Sequence, residues 1–522
     1  MFSTVVSCAI HGMKPYLMQV EVDTSDGLPG FTMVGFMSGE VKEASERVKV
    51  ALKNAGFSMP PLHVTVNLSP ADIRKYGIAV DLPVALGILV SMGELSGDCL
   101  KDTIVMGELG LDGEVKTVRG VLPMVTHAYE RGYRTCILPA GNAAEGAVVG
   151  GMRVIGIESI REAVTYLLAD EATRDSLIPP MKVDVRSLLS ESGVSAVRGP
   201  DFADINGQSM VKRAVEVAVS GFHHILMIGP PGSGKSMIAK RIPSIMPPMT
   251  EDEALEVSAV YSVSGMLKDG QALVTKRPFM SPHHTVTESA LAGGGNYPRP
   301  GIVSLAHRGV LFLDEMAEFD RRTLDILRQP LEDHEVHIAR NGGSVTFPAD
   351  CLLAGAMNPC KCGYYPDMNR CRCTEPEIRR YLSHISGPIL DRIDICVETP
   401  RIDISDLEGG SGGNEDSAAI RERVEAAVAV QKERFKGTGI RFNSEMDPVS
   451  IAEFCALGQK EKAVMEKLFY HMNLSARAYH KVLKVARTIA DLDGSAGIKV
   501  GHLTEAACYR MTDSTYWEKR GD

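Results

Sequence analysis

The 522-residue sequence is poor in aromatic residues and in positive charge, and it has no long apolar run. It contains one tryptophan, and 56 Lys and Arg face 66 Asp and Glu, for a formal net charge of −10. Because the net charge is negative, the protein as a whole would repel a nucleic acid, and binding would require a local basic surface. No apolar stretch reaches the roughly 18 residues of a membrane span, and the amino-terminal segment lacks the basic and apolar regions of a signal peptide. We expect a cytoplasmic protein with no membrane contact.

Cysteine is also scarce, and four of the 11 cysteines are clustered. Cys360, Cys362, Cys371 and Cys373 form the pattern C-x-C-x8-C-x-C. In a reducing compartment such a cluster favours a metal over disulfides, and four thiolates can close a tetrahedral Zn²⁺ site. The single residue between the members of each pair is tighter than the usual spacing of two. A reduced loop without metal is therefore the alternative.

The central motif is GPPGSGKS, which matches the P-loop pattern G-x-x-x-x-G-K-[ST]. The apolar segment His223–Ile228 before it predicts a strand, and Ser236–Met246 after it predicts a helix. Backbone N–H groups of such a loop converge on phosphate oxygens, while the lysine reaches the β- and γ-phosphates and the hydroxyl ligates Mg²⁺. The sequence thus predicts ATP and Mg²⁺ as ligands of Gly229, Pro230, Pro231, Gly232, Ser233, Gly234, Lys235 and Ser236.

Two further apolar segments end in polar residues. GVLFLDE predicts a buried parallel strand that runs into Asp314 and Glu315, and CLLAGAMNP predicts another that ends at Asn358. Because α/β sheets place ligands at the carboxyl ends of their strands, these side chains should meet the P-loop. Asp314 would help to hold Mg²⁺, Glu315 would polarise the attacking water, and Asn358 would contact the γ-phosphate or that water.

Two arginines complete the predicted catalytic set. Arg392, in SGPILDRID, can act as a finger that reaches the γ-phosphate of a neighbouring subunit, and a local ion pair with Asp391 or Asp394 is the alternative. Arg477 opens a predicted helix, where a cation is unfavourable without an anion. We therefore expect Arg477 to face the nucleotide.

The amino-terminal third resembles the Lon-type protease fold, which ribosomal S5-like domains share, through GELGLDGEVKTVRGVLPMVTHAYERGYRTCILPAGN. That resemblance implies a nucleophilic serine and a lysine base. Ala79 stands at the serine position, and the lysine position falls near Leu122. Without a hydroxyl nucleophile and an amine base the proteolytic chemistry cannot run. We expect a module for assembly or DNA binding.

Composition and pattern divide the chain into five parts. The boundaries are a Lon-protease-like domain at 1–170, a polar linker at 171–200, a P-loop ATPase core at 201–405, a flexible linker at 406–417 and a C-terminal helical lid at 418–522. The predicted fold is α/β: a P-loop AAA+ core with a helical C-terminal lid, preceded by an α+β domain of the Lon-protease and ribosomal S5 domain 2 type that lacks catalytic residues.

The whole chain resembles the ComM/YifB family of magnesium chelatase-like AAA+ ATPases. The motifs that carry the resemblance are VKEASERVKVALKNAGF, GPPGSGKS, ESALAGGG, LAHRGVLFLDE, the cysteine cluster, SGPILDRID and NLSARAYHKVLKVARTIADL. The resemblance implies a homo-oligomeric ring, a hexamer, that uses ATP to move along single-stranded or branched DNA, as in branch migration during recombination or natural transformation. Arg340 and Asn341, at the tip of a predicted hairpin, would then line the central pore, with Ser281–Gly295 as a second inserted loop.

Two other functions are considered. A magnesium chelatase motor subunit, which drives Mg²⁺ insertion into a porphyrin, shares the P-loop, LAHRGVLFLDE and the Asp-Arg pair, but lacks the N-terminal domain and the cysteine cluster. A nucleotide-binding scaffold without hydrolysis would be expected to have lost one of Asp314, Glu315, Asn358, Arg392 or Arg477, and all five are present.

Overall fold

The computed structural model describes residues 2–72, 75, 79–194, 199–295, 297–340, 343–401 and 414–517. It has an amino-terminal α+β unit, a P-loop core built on a parallel sheet and a C-terminal group of helices. This is the fold class that the sequence predicts. In the described part of the chain, no helix is both long enough and apolar enough to cross a bilayer.

The N-terminal unit contains a seven-stranded mixed sheet in the order β3-β4-β2-β1-β5-β8-β9. Its strands, with the separate β6–β7 pair, are β1 Phe2–His11, β2 Lys14–Asp26, β3 Gly30–Val34, β4 Leu62–Ser69, β5 Thr103–Val105, β6 Glu108–Leu109, β7 Val115–Lys116, β8 Thr135–Pro139 and β9 Arg153–Ile157. The helices are α1 Gly39–Lys42, α2 Ala44–Asn54, α3 Asp81–Ser91, α4 Val121–Glu130, α5 Ala140–Gly146, α6 Ile160–Leu168, α7 Glu171–Leu177 and α8 Val185–Val194. The apolar α3 lies in the core of the unit, as its composition predicts.

The two protease positions hold apolar side chains in different surroundings. Ala79 borders a cavity of about 740 Å³ between this unit and the P-loop core. Leu122 is buried among Val148 and Val257. Its backbone N–H donates to Glu145. Neither position offers the nucleophile or the base of the protease.

The P-loop core is built on five parallel strands in the order β11-β14-β17-β10-β18. The strands of this region are β10 Ile225–Ile228, β11 Phe279–Met280, β12 Gly293–Gly294, β13 Arg299–Pro300, β14 Val310–Leu313, β15 Glu335–Arg340, β16 Gly343–Pro348, β17 Leu352–Met357 and β18 Ile395–Glu398. Its helices are α9 Ser209–Gly221, α10 Lys235–Ala239, α11 Ile242–Ile245, α12 Glu251–Ser264, α13 Glu288–Ala292, α14 Ile302–Leu305, α15 Arg321–Asp325, α16 Pro330–Asp333, α17 Glu375–Leu382 and α18 Gly387–Leu390. β10, β14 and β17 are buried along their whole length, so both faces of the sheet are covered.

The helix predicted after the P-loop is interrupted. It forms as two short helices, α10 and α11, with Lys240 and Arg241 between them. Pro243 lies in the first turn of α11. Because proline has no backbone N–H, it cannot bond back to Ala239 and continue α10.

The predicted linker at 171–200 is largely helical, since it contains α7 and α8. Val185 is buried, and Leu188 and Leu189 pack with it against residues of α12. These apolar residues give the segment more contact with the core than its polar composition predicts. Of the second predicted linker at 406–417, residues 406–413 lie outside the described residues.

The C-terminal helices are α19 Ser417–Arg434, α20 Pro448–Phe454, α21 Gln459–His471, α22 Ala476–Leu492 and α23 Val500–Tyr516. Apolar residues of α19, α22 and α23 share one hydrophobic core with α9, β10 and β18. The buried His223 joins the two parts, because its ring hydrogen-bonds Asp394 at 3.1 Å and Thr488 at 2.8 Å. The lid is therefore continuous with the sheet on this side.

The N-terminal unit also packs on the P-loop core. The Gly120 N–H donates a backbone hydrogen bond to the Ser262 carbonyl at 3.1 Å. The Ser262 hydroxyl donates to the buried Glu145. The β1–β2 turn touches the β15–β16 hairpin, since a Cβ on Gly12 would lie 2.0 Å from Val345 Cγ1. The position of that hairpin is thus tied to the N-terminal unit.

Candidate functional site

The P-loop leaves the carboxyl end of β10 and begins at Gly229. A Cβ at Gly229 would lie 2.2 Å from the Thr399 carbonyl oxygen, so only glycine fits beside β18. Gly232 and Gly234 have φ of 76° and 87°, the left-handed region that glycine adopts without strain. These glycines give the loop the curvature that turns backbone N–H groups towards an anion.

Lys235 lies inside the curve of the loop and is 8% exposed. Its ammonium donates to the carbonyl oxygens of Gly229 at 2.7 Å and Pro230 at 2.9 Å, and to Asn358 Oδ1 at 3.4 Å. Burial lowers the pKa of Lys235 to about 8, against the opposing effect of Asp314 and Glu315. The side chain is therefore a buried cation in the position from which it can meet phosphate oxygens.

Ser236 and Asp314 lie together, as predicted for a Mg²⁺ site. The Ser236 hydroxyl donates to Asp314 Oδ2 at 2.7 Å. A hydroxyl and a carboxylate are oxygen donors of the kind that Mg²⁺ prefers, so these two residues fit the ion that accompanies ATP. Asp314 follows β14, the neighbour of β17 in the sheet.

Glu315 has φ of 50°, which is uncommon for a residue with a side chain. Its carboxylate is 60% exposed and lies 4.0 Å from His284 Nδ1. Such backbone strain is typical of functional sites, because the surrounding structure must hold it in place. The exposed carboxylate lies close enough to Lys235 to act on its charge, and the role of Glu315 in polarising the attacking water stays a prediction.

Asn358 follows β17 and lies beside Lys235, so the structure brings together the P-loop, Asp314, Glu315 and Asn358 at one edge of the sheet.

The sequence did not predict two residues at this edge. Gln208 donates to the carbonyl oxygens of Ser233 at 3.3 Å and Pro400 at 2.7 Å, and thereby holds the P-loop from outside. His284 lies in Ser281–Gly295, the segment predicted as a second inserted loop, and its ring faces Glu315. The His283-His284 pair beside a glycine-rich segment was the available signal.

Arg392 and Arg477 lie at the other edge of the sheet. Both line a cavity of about 310 Å³ together with His224. His224 precedes β10, and its carbonyl accepts from Asp394 and Ile395 at the start of β18. The P-loop leaves the opposite end of β10, so neither arginine lies beside the P-loop of its own chain. The expectation that Arg477 faces the nucleotide does not hold within a single chain.

Carboxylates hold both arginines in this cavity. Arg392 donates to Glu332 and to the Pro388 carbonyl, and its buried Nε has no hydrogen-bond partner among the described residues. Arg477 is 72% exposed and pairs with Asp391 at 3.7 Å. The Arg392 partner is thus Glu332 rather than either aspartate of the predicted local ion pair.

The predicted hairpin forms as the antiparallel pair β15–β16. Arg340 is the last residue of β15 and pairs with Gly343. Asn341, the other predicted pore residue, lies outside the described residues. The structure thus gives Arg340 a place at the end of the hairpin strand.

The four clustered cysteines converge. Their sulfurs all lie within 4.8 Å of one another. Cys360 Sγ is 3.3 Å from Cys362 Sγ and 3.7 Å from Cys371 Sγ. A tetrahedral four-thiolate Zn²⁺ site with Zn–S of about 2.3 Å has sulfurs about 3.8 Å apart. The separations exceed an S–S bond, so the four thiols suit one metal ion rather than disulfides.

Three sequence models of magnesium chelatase families match successive parts of the chain. Residues 201–407 match "Magnesium chelatase, subunit ChlI", residues 20–142 match "Subunit ChlI of Mg-chelatase", and residues 414–510 match "Magnesium chelatase, subunit ChlI C-terminal". The span 20–142 lies in the N-terminal unit, and the spans 201–407 and 414–510 lie in the P-loop core and the C-terminal helices.

Two bacterial relatives match nearly the whole chain. Competence protein ComM of Haemophilus influenzae is 40% identical, with 97% of this chain and 97% of the relative covered. Uncharacterized protein YifB of Escherichia coli is 39% identical, with 98% and 97% covered. The chloroplastic magnesium-chelatase subunit ChlI of Nicotiana tabacum is 26% identical, with 43% of this chain and 56% of the relative covered.

Proposed function

Because this chain belongs to the ComM/YifB family of magnesium chelatase-like AAA+ proteins, we propose that it is an ATP-driven motor that forms a hexameric ring and moves along DNA. The family itself implies an ATPase that uses ATP and Mg²⁺. The proposal goes further in its substrate, single-stranded or branched DNA, and in its setting, recombination or natural transformation in the cytoplasm.

In this proposal the carboxyl edge of the sheet binds and activates ATP. Lys235 neutralises phosphate oxygens, while Ser236 and Asp314 hold Mg²⁺, which balances the charge that develops on the phosphates. Glu315 orients the attacking water and accepts its proton, and Asn358 fixes the position of that water or of the γ-phosphate. The contacts of Lys235 with Asn358 and of Ser236 with Asp314 support these roles.

One observation carries the ring proposal: the two arginines lie at the opposite edge of the sheet from the P-loop. An arginine that stabilises a phosphoryl-transfer transition state can come from a neighbouring chain. If the arginine edge of one subunit meets the P-loop edge of the next, each site is completed between two chains. A head-to-tail contact generates a ring when the rotation between neighbours closes, and we propose that it closes here.

The DNA part of the proposal is supported by two observations. The full-length relative from Haemophilus influenzae carries the name of a competence protein, which links that protein to DNA uptake. The β15–β16 hairpin ends in Arg340, followed in the sequence by Asn341, and an arginine can neutralise a backbone phosphate. We propose that these hairpins surround DNA in the pore of the ring.

The chelatase alternative is supported by the descriptions of the family models, but the chelatase subunits among the relatives match less than half of the chain. The tobacco chelatase subunit covers 43% of this chain and the Rhodobacter capsulatus 38 kDa subunit covers 30%. Competence protein ComM covers 97%. A nucleotide-binding scaffold without hydrolysis leaves the strained and exposed Glu315 without a role.

The decisive experiment compares ATP hydrolysis without DNA and with single-stranded, duplex and four-way junction DNA. A DNA motor should hydrolyse ATP several-fold faster with its preferred structure, whereas a chelatase subunit should not respond. Arg340→Ala should abolish the stimulation and leave the basal rate, and Arg131→Ala, on the surface of the N-terminal unit, is the matched control. Equal rates with all DNA forms and without DNA would refute the motor proposal.

A further inference from the structure

The cysteine cluster lies next to the candidate ATP site along the chain and in space. Cys360 comes two residues after Asn358, whose side chain accepts from Lys235. At the other end of the loop, Cys373 is followed by the N-cap of α17, and Tyr381 of α17 is hydrogen-bonded to the Asn358 backbone. An ion held by cysteines from both ends would therefore join the strand that carries Asn358 to the helix that packs against it.

The loop also touches the P-loop directly. Gly363, between the two cysteine pairs, has φ of 85°, and a Cβ at this position would lie 2.4 Å from Pro231 Cδ. The cluster thus supports two parts of the site, Asn358 from one side and Pro231 from the other. Gly363 and Pro231 are in contact with no free space between them. A shift of the cysteine loop by a few tenths of an ångström would therefore move either Asn358 or Pro231.

Backbone amides around the sulfurs indicate a site built for thiolates. The Tyr365 N–H donates to Cys360 Sγ at 3.4 Å, and the backbone N–H groups of Tyr364 and Arg372 point to Cys362 Sγ. Hydrogen bonds of this kind orient metal ligands and stabilise their charge. A loop of neutral thiols would not require three donors aimed at two sulfurs.

We propose that Cys360, Cys362, Cys371 and Cys373 bind one zinc ion, and that this ion fixes the positions of Asn358 and Pro231 so that the P-loop binds ATP tightly. The second part rests on the proposed function only in that ATP is the ligand of the P-loop. It does not depend on DNA or on ring formation, so its tests use nucleotide binding without DNA.

The first test measures zinc and ATP affinity together in the full chain. Elemental analysis after dialysis should give about one zinc per chain for the wild type and much less for Cys362→Ser, because three thiolates hold a tetrahedral Zn²⁺ less tightly than four. The Kd for a fluorescent ATP analogue should rise about tenfold in Cys362→Ser, the effect of one lost hydrogen bond to a charged group. Cys508→Ser, at an exposed cysteine outside the cluster, should match the wild type in both measurements.

The second test separates the ion from its effect on the P-loop. Gly363→Ala leaves all four thiols in place but introduces a methyl group that would clash with Pro231. It should keep about one zinc per chain by the same four-thiolate argument, and still weaken ATP binding by roughly tenfold, within the range for an overpacked contact. Gly387→Ala, where a Cβ would meet nothing within 4 Å, is the matched control.

Three results would overturn the proposal. A wild-type protein that binds ATP tightly with no thiol-bound metal would remove the zinc site. Wild-type ATP affinity in zinc-free Cys362→Ser, or in Gly363→Ala, would remove the link to the P-loop.

Should Cys362→Ser not fold, a thiophilic chelator is used on the wild type with circular dichroism as the check on folding. Unfolding of the stripped protein as well would mean that the ion holds the whole core, which contradicts a local role.

Discussion

Replacing Arg392 with alanine tests whether a neighbouring chain completes the ATPase site. Arg392 and the P-loop lie at opposite ends of β10, a strand of four residues. At about 3.3 Å per residue the two edges are about 13 Å apart. With an effective dielectric constant of about 20, a unit charge at that distance contributes about 1.3 kcal/mol, and salt screens it further. Acting only on its own site, Arg392 could change the rate by no more than about tenfold.

Contact across a subunit boundary gives a much larger effect. A guanidinium about 4 Å from the phosphate contributes about 4 kcal/mol under the same assumption, which corresponds to about a thousandfold in rate. We therefore expect Arg392→Ala to lower kcat about a thousandfold while it still binds ATP, the lower end of the range known for arginine fingers. Arg131→Ala, an exposed arginine on the N-terminal unit, should leave kcat unchanged.

Mixed rings distinguish the two geometries directly. Lys235→Ala lacks a working P-loop but retains Arg392, so a boundary that joins its arginine edge to the P-loop of an Arg392→Ala chain is complete. In a random equal mixture about one boundary in four has this arrangement, because a head-to-tail interface takes one half-site from each chain. Because only these boundaries are complete, steady-state phosphate release should recover to about a quarter of the wild-type rate. Pure Arg392→Ala within tenfold of wild type, or no recovery on mixing, would refute the reasoning.

Two further predictions concern the carboxyl edge of the sheet. Glu315→Gln should bind ATP as the wild type does but turn over at least about a hundredfold more slowly, because a general base contributes roughly that much. Glu318→Gln is the nearby control and should turn over normally. Normal turnover in Glu315→Gln would exclude the proposed role. The pKa of Lys235 is lowered by burial to about 8. As the pH rises through this value the ammonium loses the proton that an anion requires, so ATP affinity should be constant below pH 8 and fall about tenfold per pH unit above it. Calorimetric titration of Lys235→Arg, whose charge persists, should show no such slope, and a flat wild-type profile would contradict the lowered pKa.

The residues that sequence alone placed correctly relative to one another share a local cause. Lys235, Asp314 and Asn358 each follow a short apolar strand, and parallel strands of one sheet end at a common edge. Their meeting therefore follows from the strand pattern and the direction of the chain. The contacts of Lys235 with Asn358 and of Ser236 with Asp314 agree with that expectation.

The location of Arg477 could not be predicted in the same way. It is fixed by the packing of α22 across β10 and β18, through residues such as Val482 and Ile489 that are distant in sequence from the sheet. The electrostatic argument for an anion near the start of α22 was sound, but the anion in the single chain is Asp391. A local pattern can predict that a charge needs a partner without indicating which one.

The helices in the predicted linker have a similar origin. α8 is a short helix of polar composition, and isolated helices of that length are not stable in water. Val185 and Leu188 supply the missing stabilisation by packing against α12, which begins more than 60 residues further along the chain, at Glu251. Composition correctly describes the segment as polar, but it contains no information on this tertiary contact.

The P-loop and the two arginines lie at opposite ends of the strands of one sheet. In the proposed ring, this arrangement makes the contact between neighbouring subunits depend on the nucleotide that is bound. In the single chain Glu332 and Asp391 neutralise the two arginines, so a neighbour's site must replace a carboxylate with a phosphate. A doubly charged γ-phosphate competes better for a guanidinium than a single carboxylate does, and once it has left as inorganic phosphate the carboxylates regain their partners. The strength of the subunit boundary would then follow the state of the nucleotide. That dependence is what a ring needs if hydrolysis at one boundary is to move the β15–β16 hairpin of the adjoining chain.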